Sequence, residues 1–330
     1  MSTPDQQSAT AFAPATVGNV AVGFDILGFA TDSVGDTVTV HRIDEPTVEI
    51  GEITGVVTDL PTKADENTAT VGLVQLIAEC GLDFGFRVDI EKGIPLGSGM
   101  GGSAASAVAA IVAAAELCDQ ELSRKDLLSY ALLGESVASG EVHGDNVTPC
   151  LYGGLTLTRS LEPIDVIEIP VPDDICCVLV NPKQRIDTFR ARQVIPKELP
   201  LKVFVHQSAN LAGFISACYR GDIELLRRSL RDMLIEPHRA PLIKGFGKVR
   251  HAALEEGALG CSISGSGPSV FAWVENEKDG ERVRDAMVEA FSHEGVDASA
   301  WISPVSCPGA HLTEDHATES KGPRSEEQAP

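Results

Sequence analysis

One stretch, Gly93 to Ala110, reads GIPLGSGMGGSAASAVAA and concentrates the residue types that hold a phosphate. Four of its glycines fall between Gly97 and Gly102. Glycine has no Cβ to keep a ligand off the backbone and adopts positive φ without strain. The following run, Ala104 to Ala115, is almost free of polar side chains, and a buried helix is expected over Gly101–Leu117. The first N–H groups of a helix lack intrahelical partners, and the macrodipole adds partial positive charge there. A phosphate fits such a helix start. An Mg-bound nucleotide also needs a carboxylate and a hydroxyl, and Glu135 and Ser103 are the pair the sequence offers.

Other polar groups gather around this stretch. GESVASGEVHGDNVTPCLYGG (134–154) holds Glu135, Glu141, His143, Asp145 and Asn146. Such a cluster is ordinarily a solvated loop, but this one is Gly-rich, closes in an apolar turn and follows the cradle. In APATVGNVAVGFDILGFA (13–30) the strong polar groups are Asn19 and Asp25. Both are ordinary turn residues, yet a lone carboxylate in apolar surroundings is costly unless something pairs with it. Arg190 and Arg192 fall on a short helix expected at Asp187–Val194, and Arg239 lies in EPHR. Structural salt bridges explain each Arg as well as an anion site does, and the residues alone do not separate Arg190 from Arg192. A second glycine loop, GSGPS, lies within 259–273 between β-branched runs.

The elements that must position these groups follow from periodicity. Strands are expected at Asp36–Ile43, Thr47–Ile53, Gly154–Arg159, Val166–Ile169, Cys176–Val180 and Asp297–Ile302. Helices are expected at Glu66–Cys80, with Val71, Val74, Ile77 and Ala78 inward, and at Arg124–Ser139 behind a Ser123 cap. Further helices are expected at Leu201–Arg220, Ile223–Met233, near Gly247–Glu255 and at Asp279–Ser292. Phe84, Phe86, Val88 and Ile90 alternate with Gly85, Arg87, Asp89 and Glu91, as in a half-exposed strand. That alternation decides between phosphate-loop types. Gly97-x-Gly99-x-x-Gly102 matches the dinucleotide fingerprint, but a strand feeding that fingerprint is buried on both faces. A dehydrogenase is thereby disfavoured. The P-loop pattern fails because Ser103 stands where it needs Lys. The cradle belongs to neither class.

Length and charge bound the rest. The 330 residues suffice for two cores, and a Pro-rich stretch marks a boundary: residues 1–162, 163–306 and a polar, disordered tail at 307–330. The fold class expected is α+β. The net charge is −22, with 16 Arg against 10 Lys, which disfavours nucleic acid and is compatible with adaptation to concentrated salt. The N-terminal residues lack the pattern of a secretory signal, and no run predicts a membrane span. The eight scattered cysteines form no C-x-x-C and read as reduced thiols of a cytoplasmic protein.

Three motifs, APATVGNVAVGFD, IPLGSGMGGSAA and SISGSGPSVFA, resemble in this order those of the GHMP small-molecule kinases. GESVASGEVHGDNVTPCLYGG, TFRARQVIP (188–196) and RDMLIEPHRAPLIKGF (231–246) resemble the branch that phosphorylates homoserine with ATP. The resemblance covers residues 10–303. It implies a GHMP kinase fold, with an N-terminal domain like ribosomal protein S5 domain 2 and a ferredoxin-like C-terminal domain. It implies that Pro95, Leu96, Gly97, Ser98, Gly99, Met100, Gly101, Gly102, Ser103, Ala104 and Ala105 wrap the ATP phosphates, and that Ser103 and Glu135 hold Mg2+. By the same resemblance Asp25 takes the ammonium of homoserine, and Arg192 and Arg239 its carboxylate. Asn19, His143 and Asp145 surround the hydroxyl end, and Thr188 orients the hydroxyl. Two positions depart from patterns common in the family: Gly102 replaces the first Ser of GLGSSAA, and Asn146 stands where several members carry an Asp that could act as base. An amide accepts no proton at neutral pH, so in-line transfer without a strong general base is expected. Asn67 is a candidate for the adenine. A homodimer is the expected assembly, and another acceptor or a non-catalytic binding protein of the same fold are the alternatives.

Overall fold

The alternating strand at Phe84–Ile90 forms, and its neighbours exclude a doubly wound sheet. The computed structural model describes residues 7–139 and 142–313. In chain order the first layer contains β1 (Ser8–Gly18), β2 (Leu27–Ile43), β3 (Val48–Gly55), α1 (Val71–Cys80) and β4 (Gly85–Lys92). It continues with α2 (Gly102–Glu116), α3 (Arg124–Ser139), α4 (Gly144–Tyr152), β5 (Leu155–Leu161) and β6 (Ile164–Ile169). β4 runs antiparallel to β2 and parallel to β3, so the sheet is mixed. α2 lies on β1 and β2 with α3 beside it. Its Ala side chains let it sink fully into the core, where Ala104 through Ile111 are all buried.

The second half adds β7 (Cys176–Pro182), α5 (Thr188–Gln193), α6 (Leu201–Arg220), α7 (Ile223–Ser229) and α8 (Glu236–Arg239). After a 3-10 turn at Ala240–Leu242 come α9 (Phe246–Glu255), β8 (Gly260–Ile263), β9 (Val270–Val274), α10 (Glu277–His293), β10 (Ala298–Pro304) and β11 (His311–Leu312). Four strands make an antiparallel sheet in the order β10-β7-β9-β8, as a ferredoxin-like domain requires. Strand alternation splits β9 between two cores. Val270, Ala272 and Val274 face α9 and α10, whereas Phe271 and Trp273 pack edge-on against Phe29 of β2. The two halves therefore share one apolar seam.

Several boundaries differ from expectation. α1 starts at Val71, after turns at Asn67–Thr70, and not at Glu66. Its buried face is Gly72, Leu73, Leu76 and Ile77, while Val74 is exposed. Gly72 sets that face, because a Cβ there would sit 2.5 Å from the Tyr130 carbonyl of α3. The boundary expected at 162/163 falls inside the β5–β6 hairpin, which belongs wholly to the first sheet. The chain crosses to the second sheet between Ile169 and Cys176. The segment expected to be disordered from 307 instead returns: Cys307 and Gly309 are buried, and β11 pairs with β1. The rest of that expected tail, from 314, lies outside the described residues.

Candidate active site

Three glycines of the loop require their type. Gly97, Gly99 and Gly101 have φ of 60°, 76° and 68°. A Cβ on Gly99 would lie 2.5 Å from the Ser264 carbonyl, and one on Gly101 would lie 2.1 Å from Thr16 Oγ1. Gly101 caps α2 without a side-chain hydrogen bond, so the first amides of α2 receive no side-chain cap. The loop from Pro95 to Ser103 lines a cleft of about 310 Å³. Ala104 and Ala105 do not line it, because they lie on α2 in the core. The second glycine loop braces the first. Ser264 Oγ donates to Gly99 O (2.7 Å) and Ser269 N to Ser98 O (3.1 Å), while Gly265 N ties the same loop to Gly18 O at the end of β1 (3.1 Å).

Beneath the loop lies a buried charged network. Lys92 Nζ pairs with Asp36 and donates to Gly102 O (2.8 Å) and Ser106 Oγ (2.9 Å). Asp36 accepts in turn from Gly93 N, Ile94 N and Ser106 Oγ. The Lys92 and Asp36 side chains are 2% and 0% exposed. This network ties the end of β4, the start of the loop and the first turn of α2 to β2.

Ser103 Oγ donates to Glu135 Oε2 at 2.7 Å, joining the loop to α3. Burial pushes the Glu135 carboxyl up to about 7, against the opposing hydrogen bond from Ser103. Residues 144–152, expected as loop, form α4. His143 is its extended N-cap residue. Gly144 lets α4 approach β5, because a Cβ there would lie 2.7 Å from Thr158 Oγ1. Val147, Cys150 and Leu151 bury the inner face of the helix. α4 presents Asp145 and Asn146 to the cleft; Glu141 lies outside the described residues. Asn146 Oδ1 accepts from Thr16 Oγ1 (2.9 Å), and its Nδ2 faces Asp145 Oδ1 at 3.3 Å. Burial pushes the Asp145 carboxyl up to about 7; Asp25 and Glu135 add to the rise, and Arg192 and Arg239 oppose it.

At the far end Asn19 and Asp25 both hold positive φ, 70° and 63°. Asn19 Oδ1 accepts from Asp25 N (3.0 Å), and its Nδ2 donates to Gly265 O (2.9 Å). Arg192 Nη1 donates to Asp25 Oδ2 at 2.7 Å. The His143 ring lies against Arg192 through Nε2, with its Nδ1 3.8 Å from Asp25 Oδ2. Arg239 is buried and donates to Ala191 O (3.2 Å) and Gly265 O (2.9 Å). Burial and the neighbouring Arg192 draw its guanidinium below the usual arginine value. Both guanidinium carbons lie 5.2 Å from the centre of the Phe24 ring. Arg190 is exposed and does not line the cleft, so the structure separates it from Arg192. Thr188 lines the cleft at the start of α5, its Oγ1 3.4 Å from Ser266 Oγ.

This arrangement has close counterparts. Family models for the GHMP kinases N terminal domain and the GHMP kinases C terminal match residues 67–154 and 214–293. A homoserine kinase of Xylella fastidiosa (strain M12) is 50% identical over 309 residues, covering 94% of this chain and 95% of its own. One of Chlorobium phaeobacteroides (strain BS1) is 45% identical over 318 residues, with 93% and 99% covered. The chain belongs to the GHMP kinase family. The crystal structure of homoserine kinase from Cytophaga hutchinsonii superposes with a TM-score of 0.91 at 40% identity, covering 94% of this chain and 99% of that one.

A GHMP kinase uses ATP, and the residues at the loop fit a magnesium nucleotide. Ser103 and Glu135 present hard oxygen donors in contact, at the edge of the phosphate loop. Among the described residues no group of three or more His, Cys, Asp or Glu could hold a metal by itself. One carboxylate and one hydroxyl suit a cation that shares its remaining positions with phosphate oxygens and water. Asn67 is not at the cleft. It donates to Pro61 O (2.7 Å) and accepts from Ala69 N (3.0 Å), which makes it a turn residue ahead of α1. Sequence reasoning missed Lys92, Asp36, Phe24, Thr16 and the carbonyl of Gly265. It also missed Arg185, which lines the cleft beside Gly97. All eight cysteines are free, six of them buried, and among the described residues no helix is long and apolar enough to cross a membrane.

Proposed function

We propose that this GHMP kinase phosphorylates the side-chain hydroxyl of L-homoserine with ATP, giving O-phospho-L-homoserine for threonine biosynthesis, and that it acts in the cytoplasm as a homodimer. The observation that carries the reading is one cleft with two chemically different ends. A glycine loop with the Ser103–Glu135 pair forms one end, and Asp25, Arg192 and Arg239 form the other. An α-amino acid carries one ammonium and one carboxylate, which match a carboxylate and a pair of guanidiniums. Mevalonate and sugars lack the ammonium. The relatives named homoserine kinase support the same acceptor.

In this reading the loop amides and the α2 N-terminus hold the polyphosphate, and Ser103 and Glu135 hold Mg2+. The cation would neutralise charge on the phosphate oxygens. Asp25 binds the ammonium, and Arg192 and Arg239 bind the carboxylate. Asp145 and Thr188 confine the hydroxyl end, while Asn19 and His143, expected there too, stand beside Asp25 and Arg192 and steady the zwitterion end. Asn146 cannot serve as a base, and its amide is already oriented by Thr16 and Asp145. Transfer through a loose transition state depends on alignment and charge neutralisation more than on a strong base. The hydroxyl proton therefore leaves late or to the γ-phosphate. Asp145, with its carboxyl near neutrality, is the group that would overturn this detail. If Asp145→Asn abolished kcat while homoserine still bound normally, a general base would be required.

The decisive experiment is ADP release measured with homoserine, mevalonate, shikimate and galactose as acceptors. Homoserine should drive turnover. Turnover with another acceptor alone, or ATP binding with no turnover of any acceptor, would overturn the assignment.

A further inference from the structure

We propose that Asp25 and Arg192 form an internal ion pair that a zwitterion opens and a singly charged ligand does not, so that the acceptor end selects for ammonium and carboxylate together. The inference rests on the reading of that end as an amino-acid site. The two groups assigned to opposite ends of the substrate are bonded to each other. Arg192 Nη1 and Nη2 approach Asp25 Oδ2 and Oδ1 at 2.7 and 3.4 Å. Their side chains are 29% and 28% exposed, so the pair is only partly wet.

Neither partner is loosely held. Asp25 sits in a left-handed backbone conformation with its N–H bonded to Asn19. Arg192 projects from α5, whose start is capped by Asp187 accepting from Arg190 N. Arg239 cannot easily replace Arg192 on Asp25, because two backbone carbonyls anchor it. Both guanidinium carbons lie 5.2 Å from the centre of the Phe24 ring, whose face attracts them.

A ligand bearing only a carboxylate must draw Arg192 away from Asp25 and leave that carboxylate without its guanidinium. A ligand bearing only an ammonium must draw Asp25 away and leave Arg192 and Arg239 closer to mutual repulsion. Breaking a partly dry pair from one side is costly, because the abandoned charge is not fully rehydrated. A zwitterion replaces both partners at once and turns one ion pair into two. Selection thus comes from a penalty on the wrong ligand as well as from contacts with the right one.

The pair has a consequence of inverted sign. Removing the charge of Asp25 should weaken homoserine yet tighten a ligand with a carboxylate and no amine, because that carboxylate no longer competes with Asp25 for Arg192. The probes are 4-hydroxybutyrate and 3-aminopropan-1-ol, measured by calorimetry and as inhibitors against homoserine. Wild type should bind each about 100-fold more weakly than homoserine. Asp25→Asn, which keeps a residue tolerant of positive φ, should bind 4-hydroxybutyrate about tenfold more tightly than wild type. Arg192→Gln should do the same for 3-aminopropan-1-ol. ATP binding by both variants reports that they are folded. If both bind their half-ligand no better than wild type, the latch is refuted. If wild type binds no homoserine, the acceptor assignment fails separately, and the half-ligand comparison still reads the ion pair.

Discussion

Replacing Lys92 by Met should separate the loop's support from the fold's. The ammonium is 2% exposed and makes three contacts, to Asp36, Gly102 O and Ser106 Oγ. Its loss leaves the Asp36 carboxylate buried with two backbone N–H groups and one hydroxyl, but without its countercharge. Removing one partner of such a pair costs roughly 3–5 kcal/mol. The double variant Lys92→Met/Asp36→Asn removes both charges, and Asn retains an acceptor for Gly93 N and Ile94 N. It should recover most of that stability. It does not restore the bond to Gly102 O, so KM for ATP should stay raised in both variants while KM for homoserine changes little. Urea unfolding gives the stability, and initial-rate kinetics with each substrate varied give the split. The reasoning is refuted if Lys92→Met unfolds within about 1 kcal/mol of wild type, or if the double variant loses as much as its two singles added together.

Arg192→Ala should raise KM for homoserine about 10- to 100-fold, since charge-assisted hydrogen bonds contribute roughly 1.5–3 kcal/mol, and leave KM for ATP nearly unchanged; equal loss for both substrates would mark a structural residue. Asp145, Glu135 and Glu236 all have carboxyls raised to about 7, chiefly by burial. Unfolded, they release protons near pH 4, so between about pH 4 and 7 the folded state holds more protons and stability falls as pH rises, then levels off. Asp145→Asn should flatten part of that slope, by at most about 3 kcal/mol, in urea midpoints from pH 5 to 8; an unchanged slope would contradict it. Gly101→Ala should abolish ATP binding, because its Cβ would lie 2.1 Å from Thr16 Oγ1, whereas Gly81→Ala, with nothing within 4 Å, should cost only about 1–2 kcal/mol of left-handed strain. At a net charge of −22 the thermal midpoint should rise with added KCl, and an unchanged midpoint together with full activity in dilute buffer would remove the case for salt adaptation.

The parts legible in the sequence were those with strong local chemistry. α3 and α6 match expectation at both ends, and Gly221 beyond α6 supplies a left-handed stop. The tight turn ahead of α2 was legible because Gly97, Gly99 and Gly101, all at positive φ, mark a backbone that few other residues adopt. α4 was not, since Gly144, Asp145, Asn146 and Pro149 all favour loops; its helix forms because Val147, Cys150 and Leu151 have a core to enter. β6 was expected at Val166–Ile169 and forms at Ile164–Ile169, whereas β11 is two residues long and takes its state from β1, which local sequence does not reveal. Lys92 and Asp36 did leave a signal. Period-two alternation places Lys92 on the same face as Phe86, Val88 and Ile90, and Asp36 on the same face as Val38 and Val40. Two opposite charges on inward positions of neighbouring strands call for a pair. The Asp25–Arg192 contact, across 167 positions, had no such trace.

The late return of β11 to β1 bears on synthesis of the chain. Thr313 N bonds Thr10 O across 303 positions, and Ala310 N bonds the Cys150 carbonyl of α4. On the ribosome the outer edge of β1 waits, unpaired, until nearly all of this sequence has emerged. An open edge is a template for wrong partners, and closing so long a chain segment is slow. The helix that carries Asp145 and Asn146 gains its contact with Ala310 at the same late moment. The glycine loop too waits for Ser264 and Ser269 to brace it, so both walls of the cleft are completed only after most of the chain is made. Pausing during translation of the final segment would prolong the interval in which the protein is most exposed to aggregation.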